Sequence, residues 1–186
     1  MQRPSSLAAL VLMGLVTAAA CNDAVADQDH DDHEHVLLER AICVIQPTTD
    51  NSVSGVVRFT TGEDGTIRVQ AEIEGLTAGA SHGFHIHEFG DLTDGSGKSL
   101  GGHYNPEGHD HGLPETEDRH AGDLGNLVAD DEGKASYDAT FENFSLGGHN
   151  DVLGRGMVIH AAPDDGGQPT GNAGARAGVG VIGVAK

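Results

Sequence analysis

Ser81-His82-Gly83-Phe84-His85-Ile86-His87-Glu88-Phe89-Gly90-Asp91 is the stretch that decides the fold class. Apolar and polar residues alternate through its centre, which is the period of a β-strand with one buried face. On such a strand His85 and His87 leave the same face. Two neutral imidazoles on one rigid face make half of a copper or zinc site. A lone His-x-His pair is more often solvated or satisfied within a core, so its meaning depends on what else the chain supplies.

Outward from this strand the punctuation is that of an all-β protein. Short apolar runs are separated by Gly- and Asp-rich turns, and the 28 Gly with no Trp suit a turn-rich sandwich or flattened barrel. Ala41 to Ile45 reads as a buried strand. Val53 to Thr60 and Thr66 to Glu74 flank Gly62-Glu63-Asp64-Gly65, a hairpin signal. Asn126 to Asp130 and Lys134 to Thr140 flank a second hairpin at Asp131-Glu132-Gly133. Further strands end at His160 and run from Val179 to Ala185, and no helical period emerges. Two connections are longer than a link requires, Gly90 to Asp123 and the loop after His160 that carries Asp164 and Arg176. Long loops on a rigid scaffold are where site chemistry is expected.

The first of these loops holds His103, His111, His120 and Asp123, and His160 ends the apolar run Gly156-Met157-Val158-Ile159-His160. Four imidazoles suit copper, and three imidazoles with a carboxylate suit a closed zinc site. With Gly83 to Asp91, these motifs resemble the copper/zinc superoxide dismutases: His103-Tyr104-Asn105-Pro106, Arg119-His120-Ala121-Gly122-Asp123-Leu124-Gly125-Asn126 and Gly171-Asn172-Ala173-Gly174-Ala175-Arg176. The likeness runs from about Ala41 to Lys186, the span assigned to the catalytic domain.

The resemblance implies an eight-stranded Greek-key barrel with two long functional loops, and one copper and one zinc per subunit. Copper would be bound by His85, His87, His103 and His160. Zinc would be bound by His103, His111, His120 and Asp123, with the His103 ring bridging the two metals. His109 stands two residues from His111 as a rival, and the family's spacing selects His111. His82 and His149 fall on no ligand position of the family and read as bystanders. Asp164 would accept hydrogen bonds from His85 and His111 and tie the sites together. Arg176 would attract and orient superoxide, a small monoanion, beside the copper. The implied reaction is disproportionation of superoxide to O₂ and H₂O₂, with His103 and Arg176 as the active side chains. The rival is a non-enzymatic copper-binding or copper-delivery domain on the same barrel, which usually adds a Cys-x-x-Cys module that this chain lacks.

The pattern is broken at two points. The family's usual disulfide would fall on Ser96 and Val179, so none is expected, and Cys43 reads as a buried thiol. The arginine loop has only Gly166-Gly167-Gln168-Pro169 where longer members carry charges, and Lys98 is the candidate to compensate.

The first 40 residues read separately. Leu7 to Ala20 is an apolar run after Arg3, too short to span a bilayer and flanked like a secretory signal. Ala18-Ala19-Ala20-Cys21 resembles a bacterial lipoprotein cleavage box, giving residues 1–20 as signal and Cys21 as the lipidated first residue. Cleavage after Ala24-Val25-Ala26 is the other reading, and both export the protein, with a periplasmic, membrane-anchored lipoprotein favoured. Residues 21–40 form an acidic, flexible segment in which His30, His33 and His35 are interleaved with carboxylates, a composition suited to weak metal capture. The full chain carries −19 at neutral pH, from 10 Lys and Arg against 29 Asp and Glu, which argues against nucleic acid and anionic membrane surfaces as partners. The sequence leaves monomer and homodimer open.

Overall fold

A computed structural model describes residues 38–186. The expected leader, Cys21 and the histidines His30, His33 and His35 lie outside the described residues. The strands are β1 (Arg40–Pro47), β2 (Ser54–Thr61), β3 (Ile67–Glu74), β4 (Ser81–His87), β5 (Asp123–Val128), β6 (Ala135–Phe141), β7 (Gly156–His160), β8 (Arg176–Val181) and β9 (Gly183–Val184), with one 3₁₀ turn at Lys98–Leu100. They pair antiparallel in the order β5-β4-β7-β8-β1-β2-β3-β6. This is the expected all-β, eight-stranded barrel, nearly closed. At the seam between β5 and β6, Tyr137 donates its hydroxyl to the Leu124 carbonyl at 2.8 Å. The same ring meets Phe84 edge-on at 5.3 Å.

Alternation explains half of the barrel. In β3, Ile67, Val69, Ala71 and Ile73 are buried while Arg68, Glu72 and Glu74 face water. The other half does not alternate: all of β7 and six of seven residues in β4 are buried. Phe84, Ile86, Met157 and Ile159 enter the main core. The opposite face of these strands is roofed by the two long loops, so it buries histidines rather than exposing them.

β5 begins three residues before Asn126, because Asp123 pairs with His85 across the ladder. Arg176, expected in the loop, opens β8 and pairs with His160. That strand is broken at Ile182, whose side chain is buried and whose backbone turns aside to bond Gly154 and Arg155. β9 then resumes the pairing with β1. At the other end, Leu38 already belongs to the barrel, donating its N–H to the Leu146 carbonyl at 2.9 Å and packing on the core.

Candidate metal centre

β4 and β7 fix three of the site's side chains. His85 lies opposite Val158, and His160 ends β7 next door. The fourth comes from the loop: His103 forms a β-bridge with His87, and Tyr104 N–H bonds the Ile86 carbonyl at 2.8 Å. One ring nitrogen from each of His85, His87, His103 and His160 lies within 4.8 Å of the others. A second group, His103, His111, His120 and Asp123, converges equally closely.

The outward hydrogen bonds of these rings settle their tautomers. A carbonyl only accepts, so His87 and His160 carry the proton on Nδ1, facing Gly101 O at 3.1 Å and Gly174 O at 3.2 Å. Asp164 places it on Nε2 of His85 at 2.9 Å and Nε2 of His111 at 3.0 Å. Lone pairs then remain on His85 Nδ1, His87 Nε2 and His160 Nε2, and these atoms, with His103 Nε2, are buried without any partner. An unpaired buried polar atom costs about 1–3 kcal/mol, so four converging on one point describe a cation site and not a core. His103 Nδ1 faces the other way, 2.7 Å from Asp123 Oδ1. One ring therefore serves both groups.

Asp123 is the hub of the second group. Its oxygens lie 3.0 Å from His111 Nδ1 and 3.2 Å from His120 Nδ1, and they accept the backbone N–H groups of Gly112 and His120, each at 3.1 Å. Burial would raise its pKa, but these hydrogen bonds win and hold it far below the usual carboxylate range. His111, between Asp123 and Asp164, follows: burial alone would lower it, yet the two carboxylates raise it to about 9. In the four-histidine group, burial lowers His103 to about 4 against the pull of Asp123, and lowers His160 to about 3, helped by repulsion from His85.

Arg176 is pinned. Its guanidinium donates to the carbonyls of Gly97 and Gly101, the latter at 2.5 Å, and Gly101 O also receives His87 Nδ1–H. Where a disulfide was excluded, the loop is fastened by packing: Leu100, Val158 and Val179 form a small buried cluster. A Cβ on Gly97 would strike Val179 at 2.8 Å. Cys43 is a buried free thiol, as expected, and Lys98 is exposed at the start of the 3₁₀ turn. His109 and His149 stay outside both groups.

Four positions carry more than their sequence context discloses. His82, read as a bystander, is buried with Nδ1 bonding the backbone carbonyl of His160 at 2.8 Å. It fixes the strand end that presents His160. Gln168 lies in the loop noted only for its missing charges. Its amide clamps the backbone of His111, accepting at 3.1 Å and donating at 2.8 Å. Asn126 makes a matching reciprocal pair with the backbone of Asp164, at 2.8 and 2.9 Å. Gly171 has φ near 73° and leaves room where a Cβ would collide with the Asp164 carboxylate and His111.

Comparison with known proteins agrees with this geometry. Residues 53–182 match the family described as Copper/zinc superoxide dismutase (SODC). Superoxide dismutase [Cu-Zn] A of Xenopus laevis is 46% identical over 153 residues, covering 78% of this chain and 98% of that protein. The chain belongs to the copper/zinc superoxide dismutases. As an enzyme of that family it disproportionates superoxide to dioxygen and hydrogen peroxide, with copper and zinc as cofactors. Among solved structures, the crystal structure of the clock protein EA4 is 41% identical with a TM-score of 0.75, covering 82% of this chain and 99% of that one.

Proposed function

We propose that this superoxide dismutase holds one copper on His85, His87, His103 and His160 and one zinc on His103, His111, His120 and Asp123. The observation that carries the assignment is the convergence of four partnerless imidazole nitrogens, with the second nitrogen of His103 turned into the other group. The all-imidazole set fits copper and the set with a carboxylate fits zinc. Bound there, copper supplies a reversible one-electron couple and zinc supplies fixed charge and rigidity. Arg176, held by two carbonyls of the loop, draws in and orients the superoxide anion. His103 takes a proton at Nε2 in one half-reaction and returns it in the other, so that two superoxides and two protons leave as O₂ and H₂O₂. Asp164 holds the tautomers of His85 and His111 throughout, and His82 and Gln168 hold the backbone behind two of the ligands.

Metal analysis and superoxide consumption on the purified protein test this. One copper and one zinc per chain are expected. Stoichiometric copper without zinc in zinc-replete protein defeats the two-metal assignment.

The domain division and the site of action are part of the same proposal. Residues 1–20 direct export, Cys21 is lipidated, residues 21–40 lead from it into the barrel, which they already join at Leu38 to Arg40, and the enzyme works in the periplasm against the membrane. The support is the apolar run Leu7 to Ala20 with its small residues before Cys21. Mass spectrometry of the mature chain is decisive: a lipid-modified Cys21 at the amino terminus is expected, and a terminus at Asp27 overturns the lipoprotein.

A further inference from the structure

Outside the metal centre, the loop segment that precedes His111 meets the turn around residues 145–150, and Glu107, His109 and His149 come together there. His109 Nδ1–H donates to the Arg119 carbonyl at 3.2 Å. Its lone pair is therefore on Nε2, which lies 3.8 Å from Glu107 Oε2. Asn105 spans the His109 backbone, donating to its carbonyl at 2.8 Å and accepting its N–H at 3.0 Å. A ring anchored to a carbonyl through one nitrogen and offering the other is the arrangement of a metal-ligating histidine. From the facing turn, His149 Nε2 lies 3.4 Å from Glu107 Oε1. Asn150 Nδ2 donates to the same oxygen at 3.0 Å, and Ser145 Oγ holds the His149 carbonyl at 2.7 Å. Glu107 thus shows one oxygen to each imidazole.

We infer that Glu107, His109 and His149 form a third, exchangeable site for a divalent transition-metal ion. Two imidazoles and one carboxylate suit Zn²⁺, Cu²⁺ or Ni²⁺ and not Ca²⁺ or Mg²⁺, which prefer all-oxygen sets. The rings now face the carboxylate rather than one another, so closing the site requires movement. That movement falls to His149, whose side chain is 87% exposed and turns about its own torsions without disturbing packing. The same exposure makes the site weak and exchangeable, unlike the two buried groups. A chain of net charge −19 attracts cations to its surface. The ion would join the metal-bearing loop to the 145–150 turn, two residues before His111.

The test uses the full chain with copper and zinc loaded and the copper held as Cu(I). Ni²⁺ is added as a paramagnetic probe while the imidazole resonances are followed. His109 and His149 are expected to broaden together, at a common apparent affinity. Glu107→Gln and His149→Ala should each weaken the broadening at His109 by about tenfold or more, with superoxide consumption unchanged. Broadening confined to His30, His33 and His35 overturns the proposal. So does an affinity at His109 that is the same in both variants, since the three side chains would then be a hydrogen-bonded surface cluster and nothing more.

Discussion

The two ligand groups share a ring, are equally buried, and are electrostatic opposites. In the four-histidine group no carboxylate supplies a ligand atom, and burial drives His87, His103 and His160 toward the neutral form. In the other, one ionised carboxylate gathers three imidazoles, and the neighbouring Asp164 helps it hold a proton on His111 in the absence of metal. On the metal assignment proposed above, this difference would let one barrel face serve two ions. A neutral, deprotonated set accommodates an ion that changes charge during turnover. A set with built-in negative charge retains an ion whose charge stays fixed.

Removing the shared ring is the strongest way to break this contrast. His103→Ala should abolish superoxide consumption and lower both copper and zinc content, whereas His87→Ala should abolish consumption and spare zinc. Equal zinc content in the two variants would show that the groups do not depend on one ring. Next in size is Arg176→Ala, which should lower the second-order rate by roughly tenfold with both metals in place. Arg176→Lys keeps the charge but loses the fork that grips two carbonyls, so it should fall between; a rate equal to the parent would reduce Arg176 to a point charge.

Acid and base should separate the groups in the metal-free protein. Unfolded histidines titrate near ~6.5. His103 and His160 titrate at about 4 and about 3 when folded, so between those values and ~6.5 the unfolded chain binds more protons and stability rises with pH. His111 has the reverse sign. Its folded value of about 9 means its contribution is complete below ~6.5 and is lost as pH rises to about 9. Urea midpoints should therefore peak near pH ~6.5, with limbs of about 1.4 kcal/mol per pH unit per histidine. A midpoint that climbs steadily to pH 9 would erase the distinction.

The smallest effect is a null one. Cys43 is buried and unpaired, and burial pushes its thiol up to about 12. A thiol reductant that does not strip copper should leave activity and Tm unchanged, and iodoacetamide should not label Cys43 in the folded protein. A fall in either quantity would mean that the packing of Leu100, Val158 and Val179 is not what fastens the loop.

The sequence by itself determined the β class and the strand bearing His85 and His87, while the two groups of residues that converge were legible only through the resemblance to the family, whose spacing selects His111 over His109. Period-two alternation, turn residues and the identity of ligating side chains are local and survive in one dimension. It also determined that no bridge joins Ser96 to Val179, because chemistry forbids it. Tertiary structure alone decided the rest. Nothing near Asp123 or Arg176 alternates, so the sequence reads as loop at both; they are strand ends because they pair with His85 and His160, far away in the chain. Which nitrogen of each ring is free depends on Asp164 and on the carbonyls of Gly101 and Gly174, and no spacing encodes that. The roles of His82 and Gln168 are illegible in the sequence for the same reason: each acts on the backbone of another residue, His160 or His111, and backbone atoms are identical at every position of a sequence.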